Sequence, residues 1–173
     1  GQDKVAEQQL LKALDHDPDH PGANNNLGYS WVEAGKNLPK AEAMIRKAVA
    51  AEPKQSAYLD SLGWVLYKQG KFDQAVLWLE RATDAPGGDD PIILDHLGDA
   101  LWRTGATERA VKQWEKAVRG IKARGANARD ELQAARHTIE AKLRAVKNDA
   151  DPDIAEVHHA DVATPELPPA PLQ

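Results

Sequence analysis

The 173-residue sequence has no cysteine and only one methionine and one phenylalanine. Without cysteine no disulfide or thiolate metal site can form, and the redox compartment is left open. No apolar run approaches the roughly 18 residues of a transmembrane span, and no basic-then-apolar segment opens the chain as a signal peptide would. The chain starts at Gly1, as expected of a fragment, so a missing signal says nothing about where the parent protein resides. A phosphate-cradling glycine loop, a GxSxG elbow and an HExxH zinc motif are absent too, so neither an enzyme nor a cofactor is expected. The paired acids Asp89 and Asp90 precede Pro91 and read as a helix cap rather than as a general acid and base.

Basic residues are missing from one region in particular. From Asn148 to Gln173 there are six acids, five prolines and no Lys or Arg, which predicts a disordered tail over 148–173 unless something binds it. The net charge of −5 therefore leaves the body nearly neutral. Just before the tail, Lys116 to Lys147 holds nine basic and three acidic residues. Its stretch "RGIKARGANAR" could meet nucleic acid electrostatically, but few aromatics interleave with it and the acidic tail would compete for the same surface. Self-association, or the tail lying across the preceding helix, accounts for these charges equally well.

What the sequence does contain is a repeat. Gly28, Gly63 and Gly98 are spaced by 35 residues, as are Gly35, Gly70 and Gly105. Downstream of them Ala41, Ala75 and Ala110 align, as do Ala48, Ala82 and Ala117, with the large residues Ile45, Leu79 and Trp114 between. The pattern begins incomplete at Ala6, Leu10, Ala13 and Pro18. Glycine costs about 1 kcal/mol against alanine in a helix interior, so Gly63 needs a reason. Leu59, Leu62 and Leu66, then Phe72, Ala75, Val76, Leu79 and Ala82, recur at helical spacing on one face of each helix. Pro39 and Pro91 open helices, and "DHDPDHP" and "AEPKQS" break between repeats.

This layout resembles the tetratricopeptide repeat (TPR) over roughly Asp3 to Arg119. The resemblance implies an all-α helix-turn-helix solenoid, a right-handed superhelix, in which Gly63 is small so that the helix packed against it can come near and Gly70 ends the first helix in the turn. The divisions expected are residues 1–20 as the second helix of a truncated repeat, repeat units at 21–54, 55–90 and 91–120, a capping helix within 121–147, and the tail. The turn "GKNLPKA" carries one residue more than "GKFDQA", and the linker "DAPGGDDP" is also one longer; loops absorb both. The cap is read at Asp130 to Lys147, where Leu132, Ala135, Ile139, Leu143 and Val146 make one narrow stripe, as suits a helix closing a repeat stack.

Placed on the TPR pattern, the concave groove is lined by Asn25, Tyr29, Asp60, Trp64, Tyr67, Lys68, Asp95, His96, Asp99, Trp102 and Arg103. Trp64, Tyr67 and Trp102 are expected to be exposed there as anchors, while Trp31, Trp78 and Trp114 fall on packing positions. The Lys, Asn and Arg clamp by which some TPR modules grip a C-terminal carboxylate does not transfer, because Asp60, Asp95 and Asp99 would repel that group. The implied partner is a protein or peptide, apolar with some positive charge, taken as an amphipathic helix or an extended segment. The alternative is a structural module that forms homo-oligomers through its terminal helices. His158 and His159, near Asp153, Glu156 and Asp161, form a weak divalent-metal arrangement that is set aside, and His16, His20 and His137 read as surface. "LDSLGWVLYKQGKFDQAVLWLERA" followed by "LDHLGDALWRTG" also resembles bacterial TPR proteins that are exported or lipid-anchored, some of them adaptors for envelope proteases and assembly factors. That resemblance implies an envelope location, with the cytoplasm as the alternative.

Overall fold

The computed structural model describes residues 2–125 and 130–158. Eight helices account for most of them: α1 (Gln2–His16), α2 (Pro21–Glu33), α3 (Leu38–Ala51), α4 (Ser56–Lys68), α5 (Phe72–Asp84), α6 (Pro91–Arg103), α7 (Thr107–Ala123) and α8 (Asp130–Lys147). Among the described residues there is no strand. The tightest pairings are α2 with α3, α4 with α5 and α6 with α7. Each pair stacks on the next through α3 against α4 and α5 against α6.

The small-on-large pattern makes these pairings. A Cβ on Gly63 would lie 2.5 Å from Leu79 Cγ and 3.2 Å from the Ala75 carbonyl oxygen, so α4 and α5 approach at this distance only because the side chain is missing. Leu27, Ile45, Leu62, Leu66, Leu79, Leu97, Leu101 and Trp114 are essentially inaccessible to solvent. Burying a leucine contributes about 1.5–3 kcal/mol, so this chain of contacts is the main source of stability. Asp90 caps α6 by accepting a hydrogen bond from the Ile92 amide at 2.9 Å, as the Asp-Pro pair predicts.

The first helix of each repeat stops in the same way. After α4, Lys71 N–H donates to the Leu66 carbonyl at 2.9 Å and Gly70 N–H to the Tyr67 carbonyl at 2.8 Å, with Gly70 left-handed at φ 76°. Helix α8 closes in this manner too. Ala150 N–H donates to the Ala145 carbonyl at 3.0 Å, Asp149 N–H donates to the Val146 carbonyl at 3.1 Å, and Asp149 takes the left-handed position at φ 54°. Helix α8 also packs on α7 and beside α6, as α6 packs on α5 and beside α4. The cap is thus built like the first helix of a further repeat, and the layer of first helices is α2, α4 and α6, continued by α8.

Two boundaries differ from the sequence reading. Helix α7 continues through Ile121, which is fully buried, so the third repeat runs past residue 120. Residues 151–158, expected to share the disorder of the tail, follow a defined non-helical course with Pro152 buried and Ile154, Ala155 and Val157 packed against the core. The few apolar residues of the tail's first half sit together, and main-chain hydrogen bonds add to them. His159, Asp161, Glu166 and the rest of the tail beyond His158, with residues 126–129 of the basic stretch, lie outside the described residues.

Candidate functional site on the concave face

The 35-residue period places equivalent side chains one above another on the first helices: Asn25, Asp60 and Asp95; Tyr29, Trp64 and Asp99; Glu33, Lys68 and Arg103. In the middle of the face, Trp64 stacks on Tyr67 with ring centroids 4.7 Å apart and on His96 at 3.8 Å, while Lys68 Nζ lies 5.0 Å from the Trp64 ring. The Trp64 indole N–H donates to Glu33 at 2.6 Å. His96 Nδ1 is 2.9 Å from Asp60 Oδ1. Burial works against a charged His96 ring, but Asp60, Asp95 and Asp99 together outweigh it, and the imidazole holds its proton above the ordinary range.

Toward α8, Lys142 Nζ donates to Asp95 at 2.8 Å and to Asp99 at 2.6 Å, and Asp99 also accepts the Trp114 indole N–H at 3.1 Å. Lys142 is only 4% exposed. Burial pulls its ammonium down, yet the two aspartates raise it. Two carboxylates share this one cation, and Asp95 is pushed up to about 6 by burial and by the charge of Asp99.

Most of the expected groove residues are therefore less open than the sequence implies. Trp64 is 5% exposed and Tyr67 is fully buried, not exposed anchors, and Asn25, Asp60, His96 and Asp99 are buried as well. Stacking on Trp64 and ion pairing across the repeats close over them. Tyr29, Lys68, Asp95 and Trp102 are half-buried, and Arg103 is exposed. Burial, followed by the charges of Glu33 and Asp60, raises the Tyr29 hydroxyl above its ordinary range. Asn25 Oδ1 is buried without a hydrogen-bond partner among the described residues. Of the packing tryptophans, Trp31 and Trp114 are buried and Trp78 is half-buried beneath Arg81.

What covers this face is the segment 151–158. Ala155 N–H donates to Asp99 Oδ2 at 3.2 Å. The Ala155 carbonyl accepts from the Tyr67 hydroxyl at 2.6 Å and from Arg103 Nη2 at 3.1 Å, while Arg103 Nε donates to the Tyr67 oxygen at 3.2 Å. Further along, His158 N–H donates to the Lys68 carbonyl at 2.8 Å, and the His158 ring sits where a Cβ on Gly35 would be, 2.6 Å away. The segment thus crosses from the third repeat over the second to the turn of the first. Sequence reasoning missed Lys142, Glu33 and this segment. The signal was indirect: Asp95 and Asp99 face the groove with no Lys or Arg on α6 but Arg103. Among the described residues no group of three or more His, Cys, Asp or Glu is placed to hold a metal ion, and no helix is long and apolar enough to cross a membrane.

The sequence profile of the family described as tetratricopeptide repeat matches residues 4–56, 34–91 and 61–128. The chain belongs to that family. The TPR repeat-containing protein PA4667 of Pseudomonas aeruginosa is 36% identical over 76 residues, which are 44% of this chain and 13% of that relative's length. Among solved structures, TTC0263, a thermophilic TPR protein of Thermus thermophilus, superposes with a TM-score of 0.62 at 19% identity, covering 81% of this chain and 74% of that one. YrrB, described as a TPR protein with an unusual peptide-binding site, gives a TM-score of 0.56 at 22% identity over 86% of this TPR chain and 71% of that one. At these identities the likeness is one of fold. TPR proteins generally mediate protein–protein interaction.

Proposed function

We propose that this TPR chain is a non-catalytic adaptor whose concave face, formed by α2, α4 and α6, takes an extended segment of a protein partner. One observation carries the reading. A stretch of polypeptide outside any helix or strand is held on that face through its main chain, by Asp99, Tyr67, Arg103 and the Lys68 carbonyl. Such main-chain reading gives affinity for extended segments in general, and the side-chain surroundings then select among them. The positive charge expected of the ligand is not required, because Lys142 and His96 already face the acids. The charges left for a partner include those of Arg103, Lys68 and Glu33 on the same ladder. The peptide-binding description of YrrB agrees with this reading.

The test is a quantitative pull-down comparing the chain with an Arg103→Glu, Lys68→Glu variant shown by circular dichroism to keep its helices. Specific partners should be lost with the variant; their full retention would place recognition elsewhere. Self-assembly through the terminal helices is the second reading, supported by Val5 and Leu11, which are 55% and 41% exposed on α1. In that case sedimentation should show a mass that rises with chain concentration and reverts on Val5→Asp, Leu11→Asp substitution.

A further inference from the structure

We propose that residues 151–158 are an intramolecular ligand that competes with partners for the concave face, and that the face selects segments carrying apolar residues where Ile154 and Val157 sit. The proposal rests on the reading of the groove as a peptide site. It goes further by naming the first occupant and the pattern that a competitor must match.

Three observations converge on it. The segment is held as a bound peptide would be, with both the N–H and the C=O of Ala155 engaged by side chains of α4 and α6. None of these bonds reads the side chain of residue 155, a methyl group, while Tyr67 and Arg103 close on its carbonyl. Ile154 and Val157 on either side are half-buried and pack against the core, as Ala155 does. The pattern read is therefore apolar at 154 and at 157, with the main chain of residue 155 held between them.

The hold is also of the kind that can be broken. Asp151, Asp153 and Glu156 are exposed, and the segment has no helix or strand of its own. Its advantage over a partner is the tether. Asn148 to Ala150 join it to α8 through a three-residue turn, so it competes at the high effective concentration of an intramolecular ligand. An incoming segment with the same pattern and further contacts on α2 or α6 would displace it.

The probe is a fluorescently labelled peptide of residues 150–158, ADPDIAEVH, followed by anisotropy. It is titrated with the full chain and with a full-chain Ala155→Pro variant, in which the residue no longer has an N–H to donate to Asp99. A second variant, Ile154→Asp with Val157→Asp, loosens the segment by another route. Both should keep the helical circular dichroism of the parent. The labelled peptide should bind each variant at least tenfold more tightly than it binds the unaltered chain, and adding Arg103→Glu should abolish that binding. Equal affinity for altered and unaltered chains, binding to none of them, or binding indifferent to Arg103→Glu would overturn the proposal. If the peptide binds no chain while the groove variant still loses its partners in the pull-down, the groove reading stands and the intramolecular ligand falls. If the pull-down is unchanged as well, the groove reading fails with it.

Discussion

Opposite Gly63 in the α4–α5 pair stands Leu79, and opposite Gly98 in the α6–α7 pair stands Trp114. Both glycines let a large side chain reach the backbone of the neighbouring helix. Leucine asks nothing more. The tryptophan brings an indole N–H into a dry interface, and Asp99, 2% exposed, accepts it. A carboxylate so buried needs a countercharge, and Lys142 of α8 provides it for Asp99 and Asp95 together. One residue difference between equivalent positions thus goes with a polar network that ties α8 to α6, and with an Asp99 oxygen that holds Ala155. The α4–α5 close approach is an apolar joint, whereas the α6–α7 one carries the polar network, and both repeats lend contacts to the docked segment.

Removing Lys142 should break the comparison most severely. Lys142→Met leaves the buried Asp99 and the half-buried Asp95 carboxylates facing one another, and loss of one partner of a buried pair costs about 3–5 kcal/mol, to be read from urea unfolding. Restoring much of that loss with Asp95→Asn and Asp99→Asn would identify charge, not packing, as the cause. Next comes the glycine pair. A Cβ at Gly98 would lie 2.3 Å from Trp114 Nε1, part of a rigid ring already hydrogen-bonded, but at Gly63 it would lie 2.5 Å from Cγ of the more yielding Leu79. Gly98→Ala should therefore cost roughly 1–3 kcal/mol and Gly63→Ala less; the reverse ranking in unfolding experiments would remove the distinction between the joints.

The pH dependence is a smaller effect. Asp95 is raised from 3.8 to about 6, and His96 is raised above 6.5, so the folded chain binds both protons more tightly than the unfolded chain does. Their contribution is complete below the unfolded values and is lost as pH rises through about 6 for Asp95 and through the raised value for His96. The melting temperature should fall between pH 5 and pH 8, and Asp95→Asn should flatten the lower part of that slope; an unchanged profile would mean that Asp95 is an ordinary ionised acid. Least is expected from Arg109 and Glu80, an ion pair with side chains 55% and 39% exposed. Arg109→Ala should change stability by less than about 1 kcal/mol, and a larger loss would show that second-helix surface pairs matter as much as the concave network.

The repeat was legible because its signals are local and recur. Gly63 with Leu79, Gly70 in its turn and Asp90 before Pro91 each specify a feature within a few tens of residues, and the helices and their pairing follow. The site was legible only as a set of side chains. Trp64 and Tyr67 lie on the expected face, but their burial depends on His96 from the next repeat and on Ala155 from beyond α8. Lys142 reads as a solvent-facing lysine beside the stripe of Leu132, Ile139 and Leu143; its burial is set by two acids 47 and 43 residues earlier. The segment at Ala155 was the least visible, since main-chain hydrogen bonds leave little mark on side-chain chemistry and the tail's acids and prolines signal disorder.

The most direct test of a peptide held on the concave face is amide hydrogen exchange of the full chain, resolved by NMR at Ala155 and His158. The account predicts that both amides, bonded to Asp99 and to the Lys68 carbonyl, exchange at least tenfold more slowly than in the free 150–158 peptide, and that Asp99→Ala, with helices intact, removes the protection at Ala155. Exchange at the free-peptide rate in the unaltered chain would contradict it.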